Sequence, residues 1–196
     1  MSTELITKLR RETGAGVVDV KKALDESEGD YDKALEELRK RGAAVAQKKA
    51  GRTAGEGVIA HYIHMNRIGV LVELNCETDF VARTEDFQTL GKDIAMQVAS
   101  MGARYVRPDD VPEEVIAKER EIYAAQLEGE NKPADVLEKI LDGKIAKFYD
   151  EACLVNQTFF KNEDQTIQQL VEEAVGKMGE NIQIRRFSRL ELGGDV

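Results

Sequence analysis

Through the first 42 or so residues apolar side chains return every three or four positions, in runs separated by glycine. Leu5, Ile6 and Leu9 mark one short helix; after a Gly14-Ala15-Gly16 turn, Val17, Val20, Ala23 and Leu24 mark a second. Gly29 separates it from a third, where Tyr31, Ala34, Leu35 and Leu38 recur at helical spacing. Asp30 and Asp32 at its start and Arg39-Lys40-Arg41 before Gly42 complement a helix dipole, so the pattern predicts a stop at Gly42. Residues 1–42 thus read as a three-helix module too small to bury much, and accessory in character. The Ala- and Lys-rich stretch 43–56 reads as a helical or flexible linker.

From residue 57 the period changes. Val58 to His64 and Ile68 to Asn75 are strand-like, and Met65-Asn66-Arg67 between them is short enough for a β-hairpin. Phe87, Leu90, Ile94, Val98 and Met101 then form one apolar helical stripe. Pro112-Glu113-Glu114 predicts a helix start with proline in its first position. Across 112–150 the pattern predicts a helical hairpin, with Ile116, Tyr123 and Leu127 on one arm. The other arm carries Leu137, Ile140, Leu141, Ile145 and Phe148, and the bend falls at Gly129 to Pro133. Ile167, Leu170, Val171, Ala174, Val175 and Met178 mark a last helix stopped by Gly179, and Ile182 to Phe187 a last strand. The class is α+β: a helical module, then a core (57–196) of a small antiparallel sheet with helices against one face.

The richest stretch is Asn75-Cys76-Glu77-Thr78-Asp79-Phe80-Val81, where the second strand breaks into a polar turn. Thr78 or Asp79 can cap the following helix, which places Phe80 in its first turn. On composition alone the ring plugs its own core; alternatively, a turn carrying an aromatic residue at the end of a rigid strand is built to touch a partner.

A formal charge of −9 on 196 residues argues against bulk attraction to nucleic acid and favours a protein partner or a small ligand. Locally, Arg39, Lys40, Arg41, Lys48, Lys49 and Arg52 cluster within fourteen positions. The first three serve the helix end; Lys48, Lys49 and Arg52 read equally as a solvated face or as a phosphate-binding one. Cys76 and Cys153 read as free thiols of a reducing compartment, although spacing alone does not exclude a bridge. Met1-Ser2-Thr3-Glu4-Leu5 does not open an export signal, and no run approaches the roughly 18 apolar residues of a membrane span. The expected location is the cytoplasm.

Catalytic equipment is sparse. Gly55-x-Gly57-x-x-Ala60 precedes a strand instead of following one, which rejects a dinucleotide fold, and no phosphate-binding loop with a Gly-Lys-Ser/Thr ending occurs. His61 and His64 are three apart in a strand and point to opposite faces; adding Cys76 gives no metal-ligand spacing. Glu77 and Asp79 at a helix start serve a cap more readily than acid–base chemistry. The expectation is a binding protein without catalytic residues, metal or cofactor.

Several runs together resemble a known family. They are Leu9-Arg10, Thr13-Gly14-Ala15-Gly16 and Asp19-Val20-Lys21-Lys22-Ala23-Leu24, then Lys48-Lys49-Ala50 with Arg52 and Glu56-Gly57, and above all Arg67 through Ala82. More loosely, Gly143 to Glu151 and Gln157-Thr158-Phe159 fit as well. The chain resembles elongation factor Ts, the guanine-nucleotide exchange factor of bacterial elongation factor Tu, over nearly its whole length. Val20 stands where many members carry cysteine or methionine. The resemblance implies an N-terminal module similar to a ubiquitin-associated fold that docks on the partner's GTPase domain. It also implies a tip, Thr78, Asp79, Phe80 and Val81, that dislodges Mg²⁺ from elongation factor Tu–GDP, with further contacts at Leu9, Gly14, Lys21 and Lys22. Many members carry two related core subdomains; only one hairpin-plus-helix core is present here, so a homodimer in a 2:2 complex is expected. Two alternatives belong to other classes. One is an RNA-binding accessory protein of translation using Lys48 to Arg52 with Arg185, Arg186 and Arg189; the other is a ubiquitin-like adaptor, which leaves the core unexplained.

Overall fold

The computed structural model describes residues 3–127 and 133–194, so the expected bend from Gly129 to Pro133 lies, but for Pro133, outside the described residues. Helices α1 (Thr3–Thr13), α2 (Val17–Glu26) and α3 (Tyr31–Lys49) enclose Leu9, Val20, Ala23, Leu24, Ala34 and Leu38. Asp30 caps α3, its carboxylate accepting from the Asp32 and Lys33 amides at 3.1 Å. The expected stop at Gly42 is corrected: α3 runs on to Lys49. A single glycine costs a helix about 1 kcal/mol relative to alanine. Around it stand Ala43, Ala44 and Ala46, Ala46 packs on the main core, and the Lys49 ammonium donates to the Gly179 carbonyl.

Strands β1 (Glu56–His64) and β2 (Ile68–Cys76) form the expected hairpin. Met65 and Asn66 both have positive φ, and the Arg67 amide donates to the His64 carbonyl at 2.9 Å, as a two-residue hairpin turn requires. There follow α4 (Asp79–Ala82), α5 (Glu85–Met101), α6 (Glu113–Gln126), α7 (Ala134–Ala152), β3 (Thr158–Phe159), β4 (Asn162–Thr166), α8 (Ile167–Met178) and β5 (Gln183–Glu191). The sheet is antiparallel with order β1-β2-β5, and β5 continues past the expected end at Phe187. Pro112 precedes α6 as its cap residue instead of occupying the first helical position.

Alternation along β2 sends Val70, Val72, Leu74 and Cys76 inward, against Phe87, Leu90, Ile94 and Val98 of α5 and the apolar face of α8. Met101 is the exception to the expected stripe: it is exposed, at the last position before Gly102 ends the helix in a left-handed conformation. Close packing explains Gly91, where a Cβ would lie 2.9 Å from that of Ala60. Gly57, at φ +151°, has no room for a Cβ beside the Leu74 carbonyl. The small β3–β4 ribbon carries no apolar alternation; Phe159 of β3 is buried in the main core, and a polar anchor stands beside it. Buried Gln97 donates to the Thr158 carbonyl at 3.0 Å and to the Gln157 side chain at 3.2 Å, and accepts the Phe160 amide at 3.0 Å.

Helices α6 and α7 pack on each other through Ile116, Tyr123 and Phe148, near Val111, Ala152 and Cys153. Ile145 and Phe148 are buried, while α6 buries no side chain fully. No helix among the described residues is long and apolar enough to cross a membrane.

Candidate functional site

β2 ends at Cys76, whose thiol donates to the Thr78 carbonyl at 3.1 Å. Thr78, in extended conformation, caps α4 by accepting the Val81 amide at 3.4 Å. Helix α4 is one turn long: Ala82 is buried and Val81 half-buried against the main core, while Phe80 is 80% exposed. Thr84 then begins α5 as a new helix, accepting the Phe87 amide at 3.3 Å and donating to the Val81 carbonyl at 2.8 Å. The reading of Phe80 as a plug of its own core is therefore corrected. Folding leaves the ring in water at the end of the sheet, beside Asp79, which pairs with Arg83 at 2.8 Å on the surface.

The other candidate residues separate into groups. Leu9 is a core residue of the helical module, fully buried, so its side chain offers no contact surface. Gly14, at φ +66°, lies against α8, where a Cβ would meet the Lys177 side chain at 2.8 Å. Lys21 and Lys22 are exposed on α2, one turn beyond Val18, a 78%-exposed apolar residue on the same face that the periodicity did not single out. Glu180, which contacts Glu77 and Thr78, was also missed; it sits in a helix-to-strand turn, with no periodicity to mark it.

His61 and His64 point apart, His64 sharing its face with Tyr62, whose hydroxyl lies 3.1 Å from Nδ1. Cys76 lies opposite Glu56 at the far end of the hairpin, and no group of metal-ligating side chains forms among the described residues. Both cysteines are buried and free. Burial pushes both thiols above their ordinary range, that of Cys153 to about 11. The cations proposed for RNA binding are largely engaged within the chain. Lys49 holds the end of α8, Arg52 faces Glu77 at 3.5 Å, Arg185 and Arg186 share Glu73, and Arg189 meets Glu191 at 2.6 Å.

A family model described as Elongation factor TS matches residues 17–193. The chain belongs to the elongation factor Ts family. It is 57% identical over 194 residues to elongation factor Ts of Thermotoga neapolitana, with 98% of each chain covered. Against elongation factor Ts of Thermodesulfovibrio yellowstonii it is 52% identical over 193 residues, covering 98% of this chain and 96% of that one. Against that of Carboxydothermus hydrogenoformans the identity is 55% over 194 residues, covering 98% and 89%. The protein is thus a translation elongation factor by family. The matches cover nearly all of this chain and most of each relative.

Proposed function

We propose that this chain is a guanine-nucleotide exchange factor: it binds elongation factor Tu–GDP and promotes GDP release by displacing Mg²⁺ and distorting the phosphate site, so that GTP can enter. The observation that carries this reading is the Phe80 ring, large, apolar and exposed, on a capped turn at the end of a packed strand. Mg²⁺ tolerates only near-ideal octahedral geometry, so a small displacement of the groups that hold it weakens the ion and the phosphates together. Phe80 supplies the wedge, Asp79 a polar contact that orients it, and Thr78 and Val81 the support on either side.

No bond is made or broken. Exchange is linkage: a factor that binds the nucleotide-free form better than the GDP form weakens GDP by the same coupling free energy. Residues 1–42 serve as the docking module through the α2 face of Val18, Lys21 and Lys22, with Gly14 and Leu9 holding that face in place. Residues 43–56 link it to the core of 57–196, the first part of the link being the end of α3. The site of action is the cytoplasm.

A homodimer in a 2:2 complex belongs to the same proposal. What supports it is the outer face of the sheet, where Ile59, Ile63, Leu71 and Leu190 are all more than half exposed. In register, Ile63, Gly69 and Leu190 form one row, His61, Leu71 and Ser188 the next, and Ile59 with the Glu73–Arg186 pair a third, so apolar side chains alternate with polar ones on a face that a second copy of itself could cover. The test of function is release of a fluorescent GDP analogue from elongation factor Tu, chased with excess GDP, on adding catalytic amounts of this chain. Acceleration is expected; no acceleration, beside salt-sensitive binding of RNA, would replace this reading with the RNA one.

A further inference from the structure

The turn that carries Phe80 does not hold itself, because one helical turn fixes many backbone angles for very few hydrogen bonds. Its restraint comes from the junction of α8 and β5. The Glu180 carboxylate accepts the Glu77 amide at 3.1 Å and the Thr78 amide at 3.0 Å on one oxygen, and the Thr78 hydroxyl at 2.6 Å on the other. The single hydroxyl proton of Thr78 goes to Glu180, leaving its lone pairs for the Val81 amide that starts α4. The tip reciprocates: the Glu77 carboxylate accepts the Asn181 amide at 2.7 Å. Buried Asn181 in turn donates its side-chain amide to the Arg52 carbonyl at 2.7 Å, just past the end of α3. Three distant segments are thereby tied at the base of the tip, and the Phe80 ring is left free.

We propose that Glu180 is a positioning residue for exchange, clamping the Thr78 cap so that contact with the partner deforms the partner and not the tip. This rests on the exchange reading above. Hydrogen bonds to a carboxylate are about twice as strong as neutral ones, and Glu180 accepts three from the residues that lead into α4. A wedge that yields still binds, but it delivers less distortion, and only interactions that strengthen in the distorted state raise turnover. Loss of Glu180 therefore acts on kcat and spares KM.

The experiment measures GDP-analogue release from elongation factor Tu over a range of Tu–GDP concentrations, with parent, Glu180→Ala and Glu180→Gln. Amide hydrogen exchange of Glu77 and Thr78 is followed in each free protein. Glu180→Ala should turn over about tenfold more slowly at unchanged KM. Its Glu77 and Thr78 amides should exchange faster while the core keeps its protection. Glu180→Gln, which keeps one oxygen for the two amides but no charge, should fall between. Parent-like turnover in Glu180→Ala, or a change in KM alone, overturns the role. A parent that fails to accelerate release sinks the exchange reading itself, an outcome distinct from an active parent beside an indifferent variant. Should Glu180→Ala not fold, Glu180→Gln and Glu77→Gln decide: slower turnover at unchanged KM supports the clamp, and parent-like turnover in both overturns it.

Discussion

Phe87 lies seven positions after Phe80, and in one unbroken helix the two rings would share the buried face. The break at Arg83, with Thr84 capping a second helix, turns Phe80 outward. Phe80→Ala should accordingly leave thermal stability within about 0.5 kcal/mol of the parent, as exposed positions do. A loss of several kcal/mol on denaturant unfolding would show that the ring is part of the core. The cysteines make the opposite case. Both thiols are fully buried and hold their protons above the ordinary range, so neither should react with iodoacetamide at pH 7.5 until denaturant is added. Rapid labelling of either in the native protein would contradict that placement. The strand, the Thr78 cap and the position of Phe80 in a first turn were legible from residue types alone. Which way the ring faces was not, because it depends on a two-residue break at Arg83 and Thr84, and the contact of Glu180 with the tip spans 103 residues with no local signature.

Among the elements, α3 departs furthest from its pattern. Tertiary contact with α8 carries it through Gly42, and a Cβ at that position meets nothing within 4 Å. Gly42→Ala should thus stabilise the protein by up to about 1 kcal/mol, read as a higher thermal midpoint; a lower midpoint would mean that the crossing needs the glycine. Arg39 and Glu173 also join these two helices, at 3.8 Å. Burial raises the Glu173 carboxyl above its ordinary value, Gln165 and then Arg39 only partly opposing it and Glu12 adding to it. The folded state then holds a proton that the unfolded chain releases, so this group withdraws stability as pH rises through the window above the ordinary carboxylate value. Glu173→Gln should raise the thermal midpoint more at pH 7 than at pH 4, and the reverse order would contradict the shift. Helices with a strong stripe, α5 and α8, were legible nearly to the residue because period and glycine stops agreed. The β3–β4 ribbon was not, since β4 is polar throughout and the ribbon is held by one buried ring, Phe159, and by the buried side chain of Gln97.

At the scale of the molecule, the sheet has one face covered by helices and one bearing Ile59, Ile63, Leu71 and Leu190. If a second copy covers that face, Leu71→Glu, at its centre, should convert a dimer into a monomer in sedimentation equilibrium at micromolar concentration. A parent that is monomeric yet fully active would remove the dimer from the account. The α+β class and the single core could be read from periodicity, whereas the unpaired face emerged only when β5 was placed beside β2. In the proposed exchange reaction, module, core and tip converge on one act, the loosening of a nucleotide on a partner. The measurement that tests it most directly is GDP-analogue release from elongation factor Tu with catalytic parent and Phe80→Ala side by side. Strong acceleration by the parent is expected, and its loss, by about tenfold or more, in the variant. Equal acceleration by both would contradict the wedge, and none by either would contradict exchange itself.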